Sequence, residues 1–374
     1  MSQELDEHRV YLHDRVRLAA YERALRAVVR RGDVVVDFGA GTGILGMLAC
    51  RAGAARVYAI EHSAIAGLGR QIARANGLDG TITVVRGNSR DVRLPERADV
   101  LVCDQLGAFG LDAGVGEVAQ EARARFLRPG GIMVPDAVQL SIAAVEHRES
   151  YQRVSSWLDA VCGFDVSAAG AMARNTAYRV QLEARDLLTT PVCSEARELL
   201  SHDAWPVHVA TSREAQRDGV VHGIGGWFVA QLAPGISMTN GPTSPDRIAR
   251  SQIFLPLREP VAVARGGAIE LGVTMSSPDV LSWTAAIIAR DGQRQVFRHS
   301  ALEGMLLSHE DLARTAPAHR PSLSAMGAAR LTVLSLCDAQ HSVDAIESTV
   351  YREHRDLFLS RDEASSFVAR ILGQ

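Results

Sequence analysis

Between Asp33 and Pro135 the chain alternates apolar, β-branched runs with longer stretches of helical character, the pattern that parallel α/β units require. Strands are expected at residues 34–37, 57–61, 82–85, 100–104 and 131–134. The stretches between them, 44–52, 64–76 and 117–127, are long enough for crossover helices, and Gly53 and Gly77 stand where helix C-caps belong. After Pro135 the pattern changes to short β-rich runs at 138–142, 226–230, 253–257 and 269–273, separated by Gly and Pro turns. These predict a second, mainly antiparallel domain. Helical periodicity at about 151–188 interrupts it and reads as a helical insertion. Near the end, Ser360 and Glu363 have the spacing of a capping box, and Ala364, Phe367, Val368, Ile371 and Leu372 share one helical face. Ser342 can cap a helix carrying Val343, Ile346 and Val350, and residues 331–336 supply a third. The expected organisation is a Rossmann-like α/β domain over 1–135, a β-barrel-like domain over 136–320 and a small helical module over 321–374.

Composition narrows the function classes. The chain has 374 residues, 47% hydrophobic and 22% charged, enough to bury a large core. A formal net charge of -3 without a like-charge block leaves no electrostatic footprint for nucleic acid. No run approaches the ~18 apolar residues of a membrane span, and the acidic N-terminus is unlike a secretory signal, so a cytoplasmic protein is expected. Cys50, Cys103, Cys162, Cys193 and Cys337 are widely spaced with no CxxC, which favours buried thiols over disulfides. The histidines lack HxxxH or HExxH spacing, so no metal site is indicated.

The candidate chemistry lies in Asp37-Phe-Gly39-Ala-Gly41-Thr-Gly43, where a strand turns into a helix and glycines let a ligand approach the backbone. Glu61 ends the next strand, where an acid accepts both ribose hydroxyls of an adenosine. The GxGxG spacing differs from the dinucleotide GxGxxG, and no nicotinamide signature follows. An adenosyl ligand without pyrophosphate is therefore favoured over a turn that serves packing alone. Upstream, Arg17 shares a helical face with Asp14, and two readings stand open for it. It forks onto a ligand carboxylate, or it makes an i,i+3 surface ion pair.

Together these residues resemble the protein arginine methyltransferase family. The likeness covers Asp14-x-x-Arg17-x-x-x-Tyr21, the glycine-rich turn, Glu61-x-Ser63, Arg128-Pro-Gly-Gly-Ile-Met-Val-Pro135, Gly163-Phe-Asp165, Trp227-Phe228 and Ser244-Pro245. It implies S-adenosylmethionine as cofactor, with Arg17 on its carboxylate, Asp37, Gly39, Gly41 and Gly43 around it and Glu61 on its ribose. Ser89 would offer backbone groups to the adenine, since Arg90 stands where the family has an acid. The insertion at 151–188 resembles the family's dimerisation arm and implies a homodimer.

The acceptor side departs from the family, which clamps a guanidinium between two glutamates. Here Asp104 stands at the first and Ala113 at the second, and the family's Thr-His-Trp loop after Ser-Pro is replaced by a segment containing Arg250. Asp112 and Glu117 are candidate substitutes for the missing acid, or a turn residue and a first-turn helix acid. A desolvated guanidinium needs anionic, bidentate company. The expected reaction is therefore methyl transfer to a nitrogen or oxygen of a small-molecule or peptide acceptor, in biosynthetic tailoring, with Asp104 as the orienting acid or base. Arginine methylation at a rebuilt site and a silent cofactor-binding partner protein are the alternatives. The C-terminal module, notably Leu336-Cys-Asp338-Ala-Gln-His-Ser-Val-Asp-Ala-Ile346, resembles the winged-helix peptide-binding domains of the pyrroloquinoline quinone chaperone type. By that resemblance it would grip a peptide; otherwise it is a plain helical cap.

Overall fold

A computed structural model of the chain describes residues 3–201, 205–306, 309–314 and 316–373. They fall into two compact units, Met1–Met305 and Leu306–Gln374. The first begins with helices α1 (Gln3–His13) and α2 (Arg15–Val28), separated by Asp14, whose carboxylate caps α2 by accepting the N–H of Arg17 at 3.0 Å. Strand β1 (Val34–Phe38) leads through the glycine-rich turn into α3 (Ile44–Ala52); β2 (Arg56–Glu61), α4 (Ile65–Ala75), β3 (Ile82–Arg86), β4 (Ala98–Cys103), α5 (Val115–Glu121) and β5 (Leu127–Val134) follow. The five strands form a parallel sheet in the order β3-β2-β1-β4-β5. Every expected strand and crossover helix is present. The helix expected at 117–127 begins earlier, after Gly114 in the left-handed region, and its last turn, Ala122–Phe126, is π-helical.

The antiparallel half starts with β6 (Ala137–Val145). The insertion contributes α6 (Arg148–Ser155) and α7 (Gly170–Arg174), but its later part has no α-helix, only a three-residue 3-10 turn at Ala184–Asp186. Residues of β7 (Tyr178–Val180) instead add to a sheet edge, because Val180 buries its side chain there while the backbone pairs with a later strand. The short strands β8 (Val192–Cys193) and β9 (Arg197–Glu198) follow, then β10 (Val207–Glu214), β11 (Gly219–Ala233), β12 (Ile236–Thr239), β13 (Gln252–Val263), β14 (Ala268–Ser277), β15 (Val280–Ile288) and β16 (Arg294–Ser300). Two antiparallel sheets result, β7-β13-β11-β6-β8 and β10-β14-β15-β16. One apolar core runs from the parallel sheet into these, with Leu25, Val36, Leu101, Phe109, Phe228 and Trp283 all buried in it. The burial expected of the thiols holds for Cys103. Cys162 at the arm's tip, Cys193 on the short β8 and Cys337 beyond a helix end are exposed, and all are unpaired.

The second unit carries helices α8 (His309–Arg314), α9 (Ala325–Ser335), α10 (Val343–Glu353) and α11 (Arg361–Leu372) around its own core of Val333, Ile346, Val350, Phe367 and Val368. Ser342 and Ser360 cap α10 and α11 as expected. Glu363 bonds the N–H of Leu359 rather than completing the reciprocal box at Ser360. Among the described residues the unit has no strand, so the wing of the expected winged-helix resemblance is not formed. No helix is long and apolar enough to cross a membrane.

Candidate active site

In a sheet of order β3-β2-β1-β4-β5, the carboxyl ends of β1 and β4 diverge at the switch point and leave a crevice between their loops. A cleft of about 630 Å³ lies there, walled by the turn after β1, Glu61 at the end of β2, the loop after β4, helix α1 and residues 249–251. Its two ends differ in chemistry.

At one end the glycine-rich turn exposes backbone. Gly41 has φ +54°, and a Cβ there would come within 2.5 Å of the His8 ring of α1. Glu61 is prealigned, accepting from Gly41 N at 2.9 Å and Ser63 N at 2.8 Å, which fixes its carboxylate at the cleft wall with lone pairs to spare. Asp37 stands behind the turn. It accepts from Gly46 N at 2.7 Å, anchoring the N-terminus of α3, and it does not line the cleft. Burial pushes its carboxyl up to about 7, against the opposing pull of the Gly46 hydrogen bond and of Arg17. Gly43 supplies the left-handed residue that starts α3 and is likewise off the wall. Ser89, expected near an adenine, gives its carbonyl to Arg125 at 2.8 Å and does not line the cleft. Arg90 is exposed and turns towards Glu121.

At the other end Asp104 follows β4, and its surroundings were not legible from the motif. Its Oδ2 accepts from Arg17 Nε at 2.6 Å and from Arg250 Nη2 at 2.9 Å, and its Oδ1 accepts from Tyr21 Oη at 3.2 Å. Burial raises the carboxyl's pKa, but the two guanidinium charges and their hydrogen bonds outweigh it and leave it below the ordinary carboxylate range. Asp104 is thus at the site as expected, but as a doubly paired anion. A carboxylate with both oxygens engaged is a poor proton acceptor.

The remaining expectations sort by the same geometry. Arg17 makes no salt bridge with Asp14. Its Nη1 donates to the Tyr11 carbonyl at 3.1 Å, so its exposed-pair reading fails and its side chain belongs to the cleft. Asp14 instead accepts from Ala249 N at 2.8 Å, tying the barrel loop to α2. Ala113 lines the cleft, while Asp112 folds back onto Ala108 N at 3.1 Å and Phe109 N at 2.8 Å. Glu117 is exposed on α5 and off the wall. Neither acid replaces the missing one.

Comparison with known proteins agrees with this arrangement. The ribosomal protein L11 methyltransferase family matches residues 18–122. Protein arginine N-methyltransferase 1 of Dictyostelium discoideum is 29% identical over 63% of this chain and 71% of its own length. A probable protein arginine N-methyltransferase 6.1 of Oryza sativa subsp. indica is 31% identical over 64% of this chain and 63% of its own length. The fold is shared with a Trypanosoma brucei PRMT1 enzyme-prozyme heterotetrameric complex with AdoHcy, at TM-score 0.68 and 22% identity, over 78% of this chain and 97% of that one. The chain is an S-adenosylmethionine-dependent methyltransferase that resembles the protein arginine methyltransferases. The cofactor of this methyltransferase is S-adenosylmethionine, and its cleft fits that molecule: a glycine turn open to close approach, an aligned Glu61, and an arginine with an uncommitted nitrogen at Arg17. In the methyltransferase, Tyr11, Arg250 and Gln105 are wall residues that motif reading passed over. Arg250 was visible only as part of a loop that lacks the family pattern. Its role depends on a reach from the antiparallel half to β4, which local sequence does not encode.

Proposed function

We propose that the enzyme transfers a methyl group to an uncharged nitrogen or oxygen of a small-molecule or peptide acceptor, as a tailoring step in biosynthesis. The observation that carries this reading is the contrast between the two ends of the cleft. The cofactor end presents the glycine turn and a prealigned Glu61, whereas the acceptor end offers no free carboxylate, since Asp104 is engaged by Arg17 and Arg250 and Ala113 supplies none. S-adenosylmethionine supplies a methyl already activated on sulfur, so the chain's task is alignment and exclusion of water. Glu61 and the glycine turn hold the ribose end. Arg17 holds the carboxylate end, and Asp104 positions both arginines.

Arginine methylation with a rebuilt site is the second reading, supported by the names of the relatives. The discriminating experiment measures S-adenosylhomocysteine release with arginyl peptides against panels of neutral amines, amides and hydroxyl compounds. Turnover confined to the neutral panel is expected. Efficient turnover of arginyl peptides would replace this reading with the second.

The assembly is proposed to be a homodimer. Trp157, Leu158, Val161 and Phe164 gather exposed apolar surface at the tip of the arm, and a second copy is the partner that would cover it.

A further inference from the structure

The loop between β12 and β13 sends one cation deep into the cleft. The Arg250 side chain is only 11% exposed and bridges two elements of the opposite wall, donating from Nη1 to the Leu106 carbonyl at 2.7 Å and from Nη2 to Asp104 at 2.9 Å. Its guanidinium also lies 5.8 Å from the centre of the Tyr11 ring. The backbone on either side is fixed: Ala249 N donates to Asp14, and the Arg250 carbonyl accepts from Gln252 Nε2 at 3.3 Å. The loop facing it is fixed as well, because Asn240 Nδ2 donates to the Ala108 carbonyl at 2.8 Å and to the Ser251 carbonyl at 2.7 Å. Arg250 is therefore a built part of the wall.

We propose that Arg250 determines the acceptor class of this site: its guanidinium takes the seat at Asp104 that a cationic acceptor needs, so the site admits an uncharged nucleophile. This deepens the reading given above and rests on it. Three arginines, Arg17, Arg179 and Arg250, line the cleft. The acids among the wall residues on the inner side are already spoken for. Asp14 is committed to the Arg17 and Ala249 amides, Asp104 to two guanidiniums, and Glu61 lies at the cofactor end. Glu7, on the exposed rim, accepts from the Tyr11 hydroxyl at 3.0 Å. A guanidinium or ammonium entering at Asp104 meets like charge in a partly desolvated space and finds that carboxylate already paired. Displacing Arg250 instead would strand a buried charge, which is strongly unfavourable. An amine acceptor, by contrast, is pushed towards its neutral form by the neighbouring cations, and that form carries the lone pair.

The test removes the resident cation and asks whether an external one takes its place. Arg250→Ala and the milder Arg250→Gln are titrated with methylguanidinium by calorimetry at saturating S-adenosylhomocysteine, whose own affinity is measured first. Cofactor binding lost in the wild type would count against the functional reading itself. The wild type is expected to show no saturable methylguanidinium binding, and the variants to gain affinity by about tenfold or more, the scale of one charge-assisted bidentate contact. Adding Asp104→Asn to Arg250→Ala should abolish the gain. Variants that keep the cofactor but gain nothing would overturn the proposal. So would a wild type that already binds methylguanidinium or methylates an arginyl peptide.

Discussion

Asp37 carries a cost that shows in the pH dependence of stability. Its carboxyl is raised by burial to about 7, well above its value in an unfolded chain. The protonated form is thus favoured on folding, and its stabilising effect is complete below about pH 4 and is lost as pH rises through 7. The cofactor-free enzyme should lose thermal stability between pH 5 and 8, by at most on the order of 4 kcal/mol from this group. Asp37→Asn keeps an oxygen for Gly46 N and should flatten that fall, which calorimetry at several pH values would show. An unchanged slope in the variant would assign the dependence elsewhere. At this scale the motif located the right residues but not their tasks. Asp37 and Gly43 shape the turn from behind while Gly39, Gly41 and Glu61 reach the wall, because a local pattern does not say which side of a turn faces ligand. Asp104 was legible as a site residue, yet its pairing with Arg250 was not, since the two are brought together only by the packing of β4 against the barrel loop.

Between elements, a polar knot helps fasten the arm to the barrel. Asn175, just past α7, shares its Oδ1 with His299 Nδ1 and Ser300 N, each at 3.2 Å, and its Nδ2 donates to Glu303 at 3.2 Å. His299 of β16 stacks on Trp283 of β15 at 5.2 Å between ring centres. Burial, followed by the charges of Arg258 and Arg174, lowers its pKa to about 4. A histidine held neutral in this way stabilises the fold fully above about pH 6.5, and the contribution is lost as pH falls towards 4. Amides of α7 are expected to exchange hydrogen faster at pH 4.5 than at pH 7, relative to the parallel sheet, and His299→Gln should remove most of the difference. Equal protection of α7 at both pH values would refute this coupling. The strands and crossover helices were readable in the sequence because each buries a regular apolar stripe. The second half of the arm was not. Tyr178, Val180 and Leu182 alternate with polar residues as a strand does, but so short a run is easily absorbed into the helical pattern before it, and the edge of β13 is what pairs it.

For the whole molecule, the two units have separate cores, so the first should stand without the second. A chain ending at Met305 is expected to bind S-adenosylhomocysteine as the full chain does, and both should scatter light as dimers, since the arm's apolar tip lies in the first unit. Monomers at every accessible concentration would remove the arm's proposed role. Loss of cofactor binding on truncation would show that the cores depend on each other. The order of the three segments was readable from changes in hydrophobic period along the chain, whereas the lack of strands in the last one was not, because Ser342 and Ser360 cap helices equally well in a winged or an unwinged module. Helix α1 finally bears on both ligands. Its Tyr11 ring lies over Arg17 at 5.5 Å and Arg250 at 5.8 Å, while its His8 sits above Gly41, so a single helix roofs both ends of the cleft. One face of one helix therefore touches both binding ends, and Tyr11→Ala is expected to weaken cofactor and acceptor binding together, which calorimetry on each ligand would show.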